Sequence, residues 1–203
     1  MYEVIKANSF GERMHVLTIE NDFIQFNDVV LLREEITEIK YSISALQFYR
    51  FSVGRRYHIG FRTKSAQIDL IFRSYLKIGN TYFNNLCDRI LDEVWEPITD
   101  RIWSNYIHLL LKGESVDIGN CTLSKSGLVL SKNLLFQNKQ QFIPWDNLRF
   151  EKKYDRLTLS DTNDPTAWSN LYYQGTWNID ILISLLDWIT KEGGLMELNE
   201  QHH

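Results

Sequence analysis

The feature that most constrains the fold is the order in which two hydrophobic periodicities alternate along the chain. Short runs with a two-residue repeat fill roughly the first 80 residues, after which apolar residues recur every three or four positions. The second half repeats this order, with strand-like runs followed by another helical stripe. We therefore predict an α+β protein whose elements follow the order strands–helix–strands–helix.

The first helix is predicted over residues 81–112. Its apolar stripe begins at Phe83 and continues at spacings of three and four, and Gly113 follows as a helix stop signal. Pro97 lies within this stretch and lacks a backbone N–H, so we expect it to kink or split the helix.

The second helix is predicted over residues 178–192, where an apolar stripe ends before Gly193. Each helix would close the strands that precede it. The predicted units are therefore residues 1–112 and residues 113–203.

The order of elements also indicates an internal repeat. TIENDFIQF (Thr18–Phe26) aligns with TLSKSGLVL (Thr122–Leu130) at an offset of 104 residues. LLREEI (Leu31–Ile36) aligns with IPWDNL (Ile143–Leu148) at an offset of 112 residues. The difference between the offsets predicts a loop that is eight residues longer in the second copy.

The run SGLVLS followed by FIPWDNLRFEK resembles the tandem bacterial form of the pleckstrin-homology-like (PH-like) superfold. Its apolar–x–Trp–x–x–apolar element is Ile143, Trp145 and Leu148, and the first copy has Leu31, Arg33 and Ile36 at the same spacing. The resemblance implies two PH-like units, each an antiparallel β-barrel or sandwich closed by a C-terminal helix. It implies a packing role for Trp145 and no particular activity, because this superfold hosts unrelated functions.

Composition excludes several classes of protein. The formal net charge is −4, whereas nucleic-acid-binding domains usually carry a basic excess, so we expect no nucleic acid partner. The N-terminal residues lack the apolar core of a signal peptide, and no stretch has the roughly 18 apolar residues that a transmembrane helix needs. These features predict a cytoplasmic protein.

The sequence contains no pattern typical of catalysis or metal binding. His15, His58 and His108 are widely separated, and neither cysteine belongs to a CxxC motif. GxSxG, phosphate-loop and GxGxxG motifs are also absent from the sequence. We therefore predict a protein that is not an enzyme, with no catalytic residues, no metal and no cofactor.

A basic cluster is the first candidate binding site. Arg50, Arg55, Arg56, Arg62 and Lys64 surround the sequence FSVG, in which Gly54 is the predicted hairpin turn. Arginine binds phosphate, carboxylate and acidic protein surfaces. The alternative interpretation is a charged hairpin in solvent.

A tryptophan is the second candidate. The segment Asp161–Ser169 is polar and contains a proline, so we predict a loop that exposes Trp168. Tryptophan is enriched in the residues that dominate protein–protein binding energy.

The predicted function is non-catalytic binding of a protein partner by a cytoplasmic adaptor or by an immunity protein that neutralises a bacterial toxin. The acidic net charge favours a basic partner. The alternative is recruitment to anionic membrane lipids by the basic cluster. The sequence identifies neither the partner nor the oligomeric state.

Overall fold

The computed structural model of the protein describes residues 1–11, 13–134 and 137–191. These residues form an α+β fold of antiparallel sheets and two α-helices, which confirms the fold class at that level. The chain divides into two compact units, Met1–Arg101 and Ile102–His203. This division falls inside the first helix.

The first unit places its strands in two antiparallel sheets, with orders β1–β2–β3–β4 and β5–β6–β7. A 3₁₀ turn over Arg33–Glu35 separates the two sheets in sequence, and helix α1 (Asn80–Leu111) follows the second. The strands are β1 (Tyr2–Lys6), β2 (Met14–Ile19), β3 (Phe23–Phe26), β4 (Val29–Leu32), β5 (Glu38–Phe48), β6 (Phe51–Arg62) and β7 (Gln67–Tyr75).

The second unit repeats this order, with sheets β11–β10–β9–β8 and β12–β13–β14. A 3₁₀ turn over Trp145–Asn147 again lies between the sheets in sequence, and helix α2 (Ile179–Lys191) follows. The strands are β8 (Val116–Ile118), β9 (Cys121–Ser124), β10 (Gly127–Leu134), β11 (Gln137–Pro144), β12 (Leu148–Lys152), β13 (Arg156–Asp161) and β14 (Trp168–Tyr172).

Two details of the sequence prediction are wrong. Among the described strands, no pairing closes either unit into a barrel, because each unit keeps two separate sheets. The eight extra residues of the second copy also do not form a longer loop. They lengthen the hairpin itself, since β10 and β11 have eight residues each where β3 and β4 have four.

Helix α1 begins and ends within one residue of the prediction, but Pro97 does not split it. Proline leaves the carbonyl of Glu93, four residues earlier, without its usual helical donor. The Arg33 side chain supplies a donor at 3.1 Å from that carbonyl oxygen. Arg101 in turn donates to the carbonyl oxygens of Arg33 (3.0 Å) and Ile36 (2.5 Å), so the 3₁₀ turn and the helix are bonded in both directions.

The core of the first unit contains a cluster of three buried aromatic rings. The ring centroids of Tyr57, Phe72 and Phe83 lie 5.4 to 5.7 Å apart. The Tyr57 hydroxyl donates to the Asn84 side chain at 2.9 Å, which satisfies its buried polar atom. The cluster fixes the first turns of α1 against β6 and β7.

Candidate functional site

The β5–β6 hairpin turns at Tyr49–Arg50, so the predicted turn at Gly54 is wrong. Phe48 and Phe51 form the last strand pair before the turn, and Tyr49 has a φ of 57°, a region that non-glycine residues seldom occupy. Gly54 lies within β6 instead. A Cβ atom there would come 2.0 Å from the Ser74 carbonyl oxygen, so this position requires glycine for close approach of β7.

The end of this hairpin exposes an unusual amount of aromatic surface. Phe48, Tyr49 and Phe51 are 74%, 83% and 71% exposed, respectively. Leu76 is also exposed. It lies beside this end of the hairpin, because its backbone N–H donates to the Val53 carbonyl oxygen at 2.8 Å. We call this surface the aromatic tip and define it as Phe48, Tyr49, Arg50, Phe51, Arg55, Leu76 and Lys77.

The aromatic tip is also basic. The Arg50 guanidinium lies 5.7 Å from the Tyr49 ring centroid, and Arg55 and Lys77 are exposed. Asp69 is the only acidic residue between positions 39 and 87, a stretch that contains eight lysines and arginines. Three of these eight, Arg50, Arg55 and Lys77, belong to the aromatic tip, which contains no acidic residue.

A cleft of about 380 Å³ lies at the base of the tip. Arg55, Lys77, Ser52 and Asn80 contribute to its lining, so the cleft offers cationic groups, a hydroxyl and an amide. Leu76 and Lys77 both have positive φ angles, 51° and 65°. Non-glycine residues held in this region are strained, and such strain is concentrated at functional sites.

The structure does not gather the five predicted basic residues into one cluster. Arg50 and Arg55 belong to the aromatic tip, whereas Arg62 and Lys64 lie at the opposite end of β6. That strand has 12 residues, so its two ends are roughly 35 Å apart. Arg56 is half-buried between them and pairs in register with Ser44 and Arg73.

Acidic residues accompany the basic residues at the far end of β6. The Arg62 guanidinium forms an ion pair with Glu38. Lys64 lines a shallow cleft together with Glu34 and Glu35. This end of the strand therefore lacks the excess of positive charge found at the aromatic tip.

Strand pairing also assembles a polar cluster that the sequence did not indicate. His58 Nε2 lies 2.5 Å from Asp69 Oδ1, and Lys40 Nζ lies 3.9 Å from the same oxygen. Gln67 donates to the other oxygen of Asp69 at 2.6 Å. Burial lowers the pKa of His58 and of Lys40, because it disfavours their charged forms more than Asp69 favours them.

This cluster accounts for buried polar groups within the sheet. Lys40 and His58 are only 8% and 7% exposed, and Asp69 gives both a hydrogen-bonding or ionic partner. The residues come from β5, β6 and β7, far apart in sequence, so only the strand register could have revealed them. The arrangement stabilises the hairpin that carries the aromatic tip.

In the second unit, Trp168 begins strand β14, so the predicted loop ends two residues earlier than expected and Trp168 belongs to the strand. Its side chain is half-exposed, and Tyr172 is exposed to the same extent further along the strand. The Arg156 guanidinium covers the Tyr172 ring at 5.6 Å from the centroid. The prediction of surface exposure for Trp168 is confirmed.

Both cysteines, Cys87 and Cys121, are buried and free. Burial raises the pKa of each thiol, Cys87 and Cys121, to about 12, so both stay protonated at neutral pH and are poor nucleophiles. Within residues 1–11, 13–134 and 137–191, no three His, Cys, Asp or Glu side chains lie close enough together to hold a metal ion.

Neither helix in the described part of the chain combines the length and apolar character needed to cross a bilayer.

Comparisons of the chain with protein-family models, with curated proteins and with solved structures gave no match.

Proposed function

We propose that the protein is a non-catalytic binding protein that attaches to anionic lipid surfaces through the aromatic tip. The observation that supports this function most directly is the exposure of Phe48, Tyr49 and Phe51 at a hairpin end that has no acidic residue. Recruitment to lipid is the alternative function that the sequence left open. The basic residues lie at two separate ends of β6, and only the end with Arg50 and Arg55 combines positive charge with exposed aromatic rings, so we propose lipid attachment at that end.

The chemistry of the aromatic tip suits the boundary between lipid and water. Phe48 and Phe51 would place apolar rings among the acyl chains, and Tyr49 would place its ring there and its hydroxyl among the headgroups. Arg50, Arg55 and Lys77 would meet the anionic headgroups, each contributing about 1 kcal/mol near a charged surface. Together the three cations would supply about 3 kcal/mol that vanishes on a neutral membrane.

The same proposal includes a fold and a location. The order of four strands, 3₁₀ turn, three strands and helix occurs in both units and supports a tandem PH-like protein. The two buried, reduced cysteines support a cytoplasmic location, where the anionic leaflet of the plasma membrane faces the protein.

A second candidate function is the binding of a protein partner by the second unit. Trp168 and Tyr172 project from the same side of β14, the edge strand of its sheet, since they are four residues apart. An adaptor or a toxin-neutralising immunity protein could use such a surface, and the net charge of −4 suits a basic partner.

Co-sedimentation with liposomes distinguishes the two functions. We expect the wild-type protein to pellet with phosphatidylcholine vesicles that contain phosphatidylserine, but not with phosphatidylcholine alone, and to dissociate as salt rises. The Arg50→Ala/Arg55→Ala variant should bind roughly 30-fold more weakly, corresponding to about 2 kcal/mol.

The matched control is Arg62→Ala/Lys64→Ala, which removes the same charge from the other end of β6. This variant should keep nearly all of the lipid binding. Equal losses in both variants would mean that only overall charge matters, and absence of sedimentation would refute lipid attachment. A partner captured by wild type but lost in Trp168→Ala would then favour the second function.

A further inference from the structure

A further cleft of the first unit, with a volume of about 280 Å³, lies against strand β7. Asp69, Ile71 and Arg73 line it from alternate positions of β7, on the face opposite to the buried core residues of that strand. We call it the β7 cleft, and it shares no residue with the aromatic tip. The rest of its lining comes from the first sheet and the segments beside it, and consists of Ala7, Arg13, His15 and Phe26.

Arg73 of the β7 cleft stands directly opposite Arg56 on the neighbouring strand. The two residues pair in register on β7 and β6, which places their side chains on one face with Cβ atoms about 5 Å apart. Like charges in this arrangement destabilise a sheet. Within residues 1–11, 13–134 and 137–191, neither guanidinium forms an ion pair or donates a hydrogen bond, and Nε of Arg56 is buried without a partner. The pair therefore presents two positive charges that the described residues do not compensate.

Asp69 does not neutralise this pair, because its carboxylate already has partners. His58 lies 2.5 Å and Lys40 lies 3.9 Å from Oδ1, and Gln67 donates to Oδ2 at 2.6 Å. Asp69 is also the only acidic residue among the described residues that line the cleft, whereas Arg13 adds a further cation to the lining. The β7 cleft therefore has an excess of positive charge.

Arg156 of the second unit, in contrast to Arg56 and Arg73, is compensated by its neighbours. Its Nε is likewise buried without a partner in the described part of the chain, but its Nη1 lies 3.4 Å from the Asp155 carboxylate. Its in-register neighbour is Tyr172, and the guanidinium lies 5.6 Å from the centroid of that ring. An arginine on a sheet of the same topology can thus be satisfied within the protein, so the topology does not require two facing arginines.

His15 supplies a hydrogen-bond donor whose tautomer is fixed by its neighbours. The Asn27 side chain accepts from the Val16 backbone N–H through Oδ1 at 3.1 Å, so its Nδ2 is the atom that lies 3.0 Å from His15 Nδ1. An amide nitrogen only donates, so Nδ1 of His15 accepts and the ring hydrogen is on Nε2. The lining of the β7 cleft therefore contains an imidazole N–H in addition to its arginines.

The β7 cleft also has an apolar side. Ala7, Phe26 and Ile71 contribute apolar side chains to its lining, and the centroid of the Phe26 ring lies 5.1 Å from that of His15. Clefts that combine apolar walls with a few polar groups are typical of small-ligand sites, and this volume is near the lower end of their range. The matching ligand is small, anionic at one end and apolar at the other.

We propose that the β7 cleft binds a phosphate monoester of a small organic molecule. Arg13 and Arg73 would donate to the phosphate oxygens, because the guanidinium fork matches their geometry and a phosphate monoester carries nearly two negative charges at neutral pH. His15 Nε2 would donate a further bond, and Arg56 would add its charge beside Arg73. The organic group would pack against the apolar side. This site does not depend on lipid attachment.

Calorimetric titration of the full chain with inorganic phosphate and with phenyl phosphate, in the absence of lipid, tests the site. We expect wild type to bind phenyl phosphate with one-to-one stoichiometry and to bind inorganic phosphate more weakly, because only the ester has a group for the apolar side. Arg73→Gln should weaken the binding of phenyl phosphate at least about tenfold, since it removes charged hydrogen bonds. Arg56→Gln, which removes the other member of the pair, should also weaken it.

Arg149→Gln is the matched control. Arg149 is also an exposed arginine on a strand, in β12 of the second unit, so the substitution removes the same charge away from the cleft. This variant should bind phenyl phosphate like wild type. Urea unfolding without phosphate provides a second readout. There, Arg73→Gln should be at least as stable as wild type, because it removes the repulsion from Arg56.

Four results would overturn the proposal. They are a wild-type protein that binds neither anion, full binding by both Arg73→Gln and Arg56→Gln, equal weakening by Arg149→Gln, and a loss of stability in Arg73→Gln without phosphate. Equal affinity for the two anions would overturn the assignment to a monoester and leave free phosphate as the ligand. The titrations contain no vesicles, so failure of this site and failure of lipid attachment are distinguishable.

Discussion

The equivalent hairpins of the two units have the same place in the topology but very different ends. The β5–β6 hairpin ends in Phe48, Tyr49, Arg50 and Phe51, with no acidic residue nearby in sequence. The β12–β13 hairpin ends around Tyr154, which is 88% exposed, but its neighbours carry charges of both signs.

Those charges are largely paired within the second unit. Lys153 lies 3.4 Å from Glu151, Arg156 lies 3.4 Å from Asp155, and Lys152 lies 2.8 Å from Asp187. An exposed tyrosine in such a setting has no excess of one charge around it. Exposure of an aromatic residue is therefore insufficient: the aromatic tip differs because its exposed rings stand beside Arg50, Arg55 and Lys77, with no acidic residue in the tip itself.

In the two 3₁₀ turns, by contrast, different residues at equivalent positions make equivalent hydrogen bonds. Arg33 and Trp145 are equivalent residues, separated by the repeat offset of 112. Arg33 donates to the Glu20 carbonyl at 3.0 Å, and the Trp145 indole N–H donates to the Lys125 carbonyl at 3.2 Å. Each bond ties the turn to an earlier hairpin of the same sheet, so Trp145 and Arg33 have equivalent structural roles.

The largest effect on stability is expected from the buried polar cluster of the first unit. Asp69→Asn would leave Lys40 and His58 beside an uncharged amide, at a cost of about 2–3 kcal/mol in the free energy of unfolding. Glu151→Gln, which removes an exposed ion pair from the second unit, should change it by less than about 1 kcal/mol. Urea unfolding measures both, and equal effects would contradict the difference in burial.

The proline in α1 permits a second test. Arg33→Ala should cost about 1–2 kcal/mol, because the carbonyls of Glu20 and Glu93 lose a charged donor at a partly exposed site. Adding Pro97→Ala should recover part of that loss by restoring the helical bond to Glu93. Trp145→Phe, which removes one neutral hydrogen bond, should cost only about 1 kcal/mol.

A double-mutant cycle on Arg33 and Pro97 isolates this coupling. Additive effects of the two substitutions would show that Arg33 does not compensate for the proline.

The smallest expected effect is on the pH dependence of the free energy of unfolding, to which His58 and Asp187 contribute in two different pH ranges. Burial lowers the pKa of His58 in the folded protein, so the unfolded chain binds a proton at a higher pH than the folded protein does. The free energy of unfolding therefore falls as the pH drops below about 6.5. Hydrogen bonds from Lys152 and Lys191 lower the pKa of Asp187, so its contribution is lost only below about pH 4.

Unfolding free energies measured by urea at several pH values should resolve these ranges. His58→Gln should flatten the upper range alone, and Asp187→Asn the lower range alone. A variant that alters the other range would show that the assignment of the titrating group is wrong.

Local sequence patterns predicted those elements whose signals are local. The three- and four-residue spacing from Phe83 located α1 within one residue at each end, and the offset of 112 aligned both 3₁₀ turns. The hairpin turn was missed because Phe48–Phe51 contains none of the usual turn residues, whereas Gly54 does resemble one.

The candidate site could be predicted only in part, because its properties depend on strand register. Sequence proximity grouped Arg50 with Lys64, but a 12-residue strand separates them in space. Conversely, Lys40, His58 and Asp69 are far apart in sequence and adjacent in the sheet.

On the proposed function, the first unit's hairpin enters the lipid surface and its counterpart in the second unit does not. Tyr49→Cys and Tyr154→Cys variants can each be labelled with an environment-sensitive fluorophore. Cys87 and Cys121 should not react, because both are buried and have thiol pKa values of about 12. With phosphatidylserine vesicles, we expect a blue shift in emission at position 49 and none at position 154. Equal shifts at both positions, or a shift at position 154 alone, would contradict the claim.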